Sequence, residues 1–159
     1  MASRKHTTPI QLDLLFPPDE EWRPIVGYEG LYEVSNLGRV RSLTREESSG
    51  NQWGRHMMTR PGRFLRLGPN QCGYCAVLLC KAGTKRHSLV HHLVLEAFQG
   101  PRPDGYMCNH IDCDGTNNAL SNLEWVTALG NSKHMLAMGR AALGEKNGRA
   151  RLTVAMVQM

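Results

Sequence analysis

No apolar run in the 159-residue chain approaches the roughly 20 residues needed to cross a bilayer. A secretion leader is missing as well. The opening MASRKHTTPIQLDLLFPPDEE has basic residues but only a short apolar patch, broken at Pro17 and Pro18, and no small-residue cleavage site. The five cysteines are an odd number, which fits an intracellular chain better than a disulfide-stapled secreted one. The length leaves little room for a second globular domain, so one compact domain with small appendages is expected. Together these absences point to an intracellular protein with no membrane partner.

Acidic side chains are thin in the middle of the chain. Residues 37–102 carry 11 basic and 3 acidic side chains, a local charge of +8, whereas the two flanks together come to −3. Clustered Arg and Lys attract phosphates and release counterions on contact, so the stripe suggests a polyanionic substrate. A solvated basic face would have the same composition.

Residues 1–20 are polar, contain proline and have no periodicity, as expected of a flexible lead-in. Short strands are predicted at 31–35 and 39–43, with Ser35-Asn36-Leu37-Gly38 turning between them. On an extended strand Arg39 and Arg41 share one face and Val40 the other, so the hairpin can dock on a core while offering two guanidiniums to phosphate. Residues 44–62 read as a basic loop or weak hairpin. Strands follow at 63–67 and 74–81, and a further strand leads into Ser88. Arg63, Arg66, Lys81, Lys85 and Arg86 are expected on the rim of this small antiparallel sheet. LVHHLVLEAF, residues 89–98, has an apolar stripe at helical spacing and is stopped by Gly100 and Pro101. His91 and His92 are adjacent and project from different faces, so a packing or supporting role for His91 is expected.

The stretch YMCNHIDCDGTNNALSNLEWVTALGNSKH, residues 106–134, concentrates the chemistry. Strands at 107–111 and 123–127 flank an asparagine-rich loop. Thr127 can cap a helix running to about residue 138, with Gly139 as its exit. Asn109 and His110 then alternate on the first strand, while Asn131 and His134 share a helix face. Phosphodiester hydrolysis needs an activated water and neutralisation of charge on the phosphate oxygens. A neutral histidine can take the water's proton near neutral pH. A hard cation such as Mg²⁺ needs only one or two protein oxygens beside the phosphate and its waters, and asparagine carbonyls can supply them without charge. Asn122 could hold the loop through backbone hydrogen bonds.

Two segments resemble known families. WRPIVGYEGLYEVSNLGRVRSL, with its YEVSNLGRVRS core, resembles NUMOD4, a short module that accompanies phage and intron-borne HNH homing endonucleases and contacts DNA beside the nuclease core. VHHLVLEAF, NHIDCDGTNN, SNLEWVT and NSKH resemble the HNH endonuclease core of the homing type, the ββα-metal or His-Me finger fold. The resemblance implies an α+β protein: a small antiparallel sheet region followed by the ββα-metal core. It implies cleavage or nicking of double-stranded DNA with a divalent cation, Mg²⁺ or else Mn²⁺, and no small-molecule substrate. It makes His110 the general base, Asn122 the loop organiser, Asn131 a metal-binding helix residue and Asn109 the other ligand, a position that is aspartate in some members. His134 ranks second as a ligand or phosphate contact. Arg39, Arg41, Arg63, Arg66 and Lys85 would position the duplex. The implied organisation is a lead-in at 1–20, the NUMOD4-like module at 21–45, a basic strand and loop region at 46–88, the nuclease core at 89–140, and at 141–159 the opening of a DNA-binding tail, incomplete by residue 159. The cytoplasm of a bacterial or phage-infected cell is the implied setting.

Competing metals fit less well. In DCDG, Gly115 falls at the fourth position from Asp112 instead of the sixth, and the closing Glu of a calcium loop is missing. Cys72 and Cys75 form one CxxC, but no second compact pair completes a zinc set, so structural zinc is not expected. The alternative to a nuclease is a catalytically decayed or zinc-stabilised DNA-binding module.

Overall fold

The structure, a computed structural model, describes residues 19–51 and 54–140; most of the expected lead-in and the whole of the expected tail fall outside them. β1 (Trp22–Pro24), β2 (Tyr32–Ser35), β3 (Val40–Ser42) and β6 (Arg63–Phe64) form a four-stranded antiparallel sheet in that order. β4 (Arg45–Asn51) and β5 (Gly54–Arg60) make a separate hairpin, and β7 (Gly68–Pro69), β8 (Cys75–Lys81) and β9 (Thr84–Leu89) a three-stranded antiparallel sheet. Helix α1 (Val90–Gln99) follows β9 without a break. β10 (Tyr106–His110), a 3₁₀ turn (Leu120–Asn122), β11 (Leu123–Thr127) and helix α2 (Ala128–Ala137) complete the described chain. No helix among the described residues is long and apolar enough to cross a membrane.

Alternation explains the strands. Tyr32 and Val34 of β2 face inward, as does Val40 of β3. In β8, Val77 and Leu79 enter the core while Leu78 between them stays exposed. α1 lies where these faces meet, packing on β2, β8, β9 and the β10–β11 hairpin. Its Val90, Leu93, Val94 and Leu95 join Ile25, Val34, Val40, Leu79 and Leu123 in one continuous core. A fully buried aliphatic side chain of this kind contributes about 1.5–3 kcal/mol, so α1 is held by burial. It has no side-chain cap at its start, and Gly100 ends it at φ 93°.

The structure departs from the sequence reading at residues 63–67 and at residues 19–20. The strand expected at 63–67 breaks after Phe64. Leu65 still donates its N–H to the Val40 carbonyl (2.8 Å), but Leu65 and Leu67 turn onto the core and Gly68–Pro69 pairs with β8 instead. The segment thus serves two sheets. Of the two options read for 44–62, loop or hairpin, the hairpin forms: β4 and β5 pair at seven positions, with Glu47 bonded to Arg45 on its own strand and to Arg60 on the other. Asp19 and Glu20, expected in the flexible lead-in, are tied down: the Asp19 carbonyl accepts from Asn36 Nδ2 (3.0 Å), and the Glu20 carboxylate pairs with Arg39.

The expected turn Ser35–Gly38 is present. Ser35 Oγ accepts from the N–H groups of Leu37 and Arg39, and Gly38 adopts φ 80°. The expected Thr127 cap also forms, its hydroxyl accepting from Gly130 N–H (3.2 Å).

Two outcomes follow from this packing. Leu79→Ala should cost about 2–5 kcal/mol in urea denaturation, while Leu78→Ala on the opposite face should cost about 0.5 kcal/mol or less. His91 is buried on α1, and burial foremost, with the charges of His92 and His110 behind it, pushes its ring down to about 3. The unfolded ring titrates near 6.5, so unfolding takes up a proton between that pH and about 3, and stability falls as pH drops through this window. The stability gap between the native protein and His91→Gln should therefore narrow from pH 7 to pH 4.5.

Candidate active site

The register of the β10–β11 hairpin places Asn109 directly opposite Glu124 and His110 opposite Leu123. Directly opposed residues point to the same face. Asn109 Nδ2 accordingly donates to Glu124 Oε1 (2.8 Å) and also to His134 Nδ1 (3.3 Å) on α2. His134 Nε2–H in turn donates to the Ile111 carbonyl (3.1 Å). Both nitrogens of His134 are therefore used in holding α2 against the hairpin. The amide of Asn109 is fixed through its nitrogen, which leaves its carbonyl oxygen with no hydrogen bond among the described residues.

Asn109 and His110, both buried, line a cavity of about 280 Å³ together with Tyr74, Cys113, Asn131 and Arg140. The structure thus brings three of the expected site residues, Asn109, His110 and Asn131, to one place. His134 stands behind Asn109. Asn122 lies in the loop: its Oδ1 accepts from Asp112 N–H (3.0 Å), and its Nδ2 donates to Asp112 Oδ1 (2.8 Å) and to the Asn117 carbonyl (2.9 Å). The Ile111 N–H reaches the Asn122 carbonyl (2.9 Å), so this residue closes the loop at both its backbone and its side chain.

The loop's own carboxylates are occupied. Asp112 accepts from Asp114 N–H, Asn117 and Asn122, and these bonds hold its carboxyl below the usual range. Asp114 is lowered likewise by Thr116. Cys108, which also lines the cavity, has its thiol pushed up to about 12 by burial and then by the charge of Glu124, so it stays protonated near neutral pH.

His110 is held as a ring. Tyr74 stacks on it at 5.7 Å between centroids and 22° between planes, His91 meets it edge to face at 5.0 Å, and its Nε2 lies 3.4 Å from Asn118 Oδ1. Nδ1 has no hydrogen bond among the described residues. His91 thus takes the supporting position expected of it.

The donor set suits a hard divalent cation. Asn109 and Asn131 offer neutral oxygens to one cavity, and the carboxylate of Glu124 stands behind Asn109, supplying negative charge one bond away. Such a site keeps room for water and phosphate, unlike a closed protein cage.

The cationic residues are dispersed. Arg39 pairs with Glu20 and stacks over Phe64 (4.8 Å), and Arg41 pairs with Glu33 (2.6 Å) and lies over Trp22 (4.1 Å). Arg41 and Arg63 border a second cleft with Phe64, also about 280 Å³. Arg66 borders a groove of about 650 Å³ on the open face of the three-stranded sheet, and Lys85 lies on β9. Four residues of the site escaped the sequence reading. Glu124 was available once the hairpin register was drawn. Tyr74, Asn118 and Arg140 carried no local signal, because they are brought in by the fold. Arg140 donates to the Cys113 carbonyl (2.9 Å) and places a guanidinium at the cavity rim.

Comparison with known proteins agrees with this geometry. Residues 20–80 match the NUMOD4 motif, and residues 88–133 match the HNH endonuclease family. The DNA endonuclease I-HmuI of Bacillus phage SP01 is 32% identical over 119 residues, covering 75% of this chain and 59% of that protein. An uncharacterized HNH endonuclease of Acanthamoeba polyphaga mimivirus is 29% identical over 119 residues, covering 75% of this chain and 31% of the relative. The chain therefore spans less than two thirds of the length of each of these relatives. Among solved structures, one described as DNA binding and cleavage by the HNH homing endonuclease I-HmuI superimposes with a TM-score of 0.61 at 31% identity, over 77% of this chain and 62% of the other. The motifs, the hairpin-and-helix site and these similarities converge: the chain carries a NUMOD4 motif followed by a segment that matches the HNH endonuclease family.

Proposed function

We propose that the chain is a divalent-cation-dependent DNA endonuclease of the homing type, hydrolysing phosphodiester bonds in double-stranded DNA as a nick or a double-strand cut. The observation that carries this reading is the convergence of His110, with one ring nitrogen free of hydrogen bonds among the described residues, and the oxygen-bearing Asn109 and Asn131 on a single cavity. His110 Nδ1 takes a proton from a water that attacks phosphorus, and the bond from phosphorus to the 3′ oxygen breaks. Asn109 and Asn131 would hold the cation, with Mg²⁺ the favoured ion and Mn²⁺ a substitute. When bound, it supplies charge neutralisation at the phosphate oxygens and the leaving oxygen. Glu124 and His134 orient the Asn109 amide so that its oxygen, not its nitrogen, faces the cavity. Asn122 keeps the loop closed, and Arg140 at the rim suits a phosphate beside the scissile one.

Duplex positioning falls to Arg63, Arg66 and Lys85 on the exposed rims. Arg39 and Arg41 would join by exchanging Glu20 and Glu33 for phosphate oxygens. That exchange keeps their stacking on Trp22 and Phe64, which fixes the guanidinium planes in advance.

Two measurements test the proposal. Supercoiled plasmid with Mg²⁺ or Mn²⁺ should be converted to open-circle or linear product, and His110→Ala should slow conversion by about 10²-fold or more. Equal conversion by both proteins, or by neither, would sink the mechanism and favour a binding module without catalysis. Binding of a duplex should weaken with salt, at a log–log slope of roughly −4 if about five phosphates are neutralised. A flat response would remove the basic stripe as the DNA face.

A further inference from the structure

We propose that Asn118 is a positioning residue for the base, fixing His110 as its Nε2–H tautomer so that Nδ1 is the nitrogen left to accept a proton, and that the Ser35–Gly38 turn of the N-terminal sheet holds Asn118 in place. The term base rests on the nuclease reading; the tautomer and the brace do not.

Asn118 is buried in the loop between β10 and β11. Its Nδ2 donates to the Thr116 carbonyl (2.9 Å), which leaves Oδ1 turned to His110 Nε2 (3.4 Å). Rotating the amide by half a turn would set Oδ1 against the Thr116 oxygen, two acceptors face to face. The Thr116 carbonyl therefore fixes the amide. An amide oxygen can only accept, so Nε2 must carry the hydrogen and Nδ1 the lone pair. The neighbouring asparagines cannot substitute: Asn117 Nδ2 is bonded to Asp112 Oδ2, and Asn122 is spent on Asp112 and the Asn117 carbonyl.

A neutral amide in this position has an electrostatic merit. Carboxylates commonly orient a working histidine. Here a carboxylate would add negative charge beside a cavity that must admit a phosphodiester, whereas Oδ1 fixes the tautomer without it.

The brace comes from the other end of the chain. A Cβ placed on Gly38 would lie 2.7 Å from the Asn118 Cβ and 2.9 Å from the Asn118 carbonyl oxygen, so the turn is pressed directly onto this residue. Two residues along, Leu120 N–H donates to the Asn36 carbonyl (2.7 Å). The loop needs a second small residue at Gly115, where a Cβ would meet the Tyr74 ring at 2.8 Å, the same ring that stacks on His110. The ring is thus held at its edge by Asn118 and on its face by Tyr74. The NUMOD4 turn sets the first of these holds.

Nitrogen-15 NMR of the histidine-labelled chain, without metal or DNA and with the ring neutral, reads the tautomer directly. Native His110 should be Nε2–H alone. Asn118→Ala should give a mixture of tautomers, and Asn118→Asp, which restores an acceptor oxygen, should return it to Nε2–H. In plasmid cleavage, kcat for Asn118→Ala should fall roughly 10- to 100-fold with KM little changed, and Asn118→Asp should recover part of the loss. Gly38→Ala should shift the tautomer in the same direction, with no further shift when combined with Asn118→Ala. If Asn118→Ala does not fold, Asn118→Ser, too short to reach Nε2, replaces it with the same expected mixture. A pure Nε2–H ring in Asn118→Ala or Asn118→Ser overturns the role of Asn118, and a native-like spectrum in Gly38→Ala overturns the brace. A chain that shows the stated tautomers yet cuts no plasmid would refute the nuclease reading alone.

Discussion

The strand register of β10 on β11 is the constraint from which the site is built. Because side chains alternate with a period of two, a slip of one residue would send Asn109 to the opposite face, away from Glu124 and away from α2. The register is secured at both ends. Leu123, opposite His110, is buried against α1. At the other end Thr127, opposite Tyr106, begins α2 as its cap. Asn122 closes the loop between, so the hairpin has little freedom to pair otherwise. Hydrophobic burial selects the pairing, and the polar groups are carried into position with it.

Electrostatics in the site are arranged around neutrality. Asn109, His110 and Asn131 bring no fixed charge to the cavity, Cys108 is held protonated, and the one charged side chain that lines it among the described residues is the Arg140 guanidinium at its rim. The carboxylates nearby are each committed: Glu124 to the amide of Asn109, Asp112 and Asp114 to loop N–H groups. Negative charge is kept one hydrogen bond away from where a phosphate would lie, close enough to orient ligands and to favour a cation, and not in the phosphate's path. The arginines of the N-terminal sheet follow a related plan, because Glu20 and Glu33 cover their charge while aromatic rings fix their planes.

Much of this was legible in the residues. Periodicity located α1, β8, β10, β11 and α2 to within a residue or two, and Ser35–Gly38 and Thr127 announced the turn and the cap. The spacing of Asn109, His110 and Asn131 marked the residues that the cavity gathers. What could not be read depends on long-range geometry. RFLRL has a strand's pattern, yet its leucines gain more by turning into the core than by extending one sheet. Glu20 sits in a polar, proline-flanked stretch with nothing local to fix it, and is ordered by Arg39, 19 residues away. Tyr74 and Asn118 reach His110 from 36 and 8 residues away, and no local rule joins the three.

The divided segment after Phe64 has a mechanical meaning. Leu65 is bonded to the first sheet at Val40, and Gly68 to the second at Ala76. Only three residue steps of chain separate these anchors, a tether of about 10 Å when fully extended. Asn36 and Gly38 fasten the same first sheet to the loop of the β10–β11 hairpin. These two short links act beside the continuous core that α1 shares with both sheets, so the N-terminal sheet is tied to the rest of the described chain at more than one place. A displacement of that sheet is therefore passed to Asn118 through Gly38, and from Asn118 to the His110 ring.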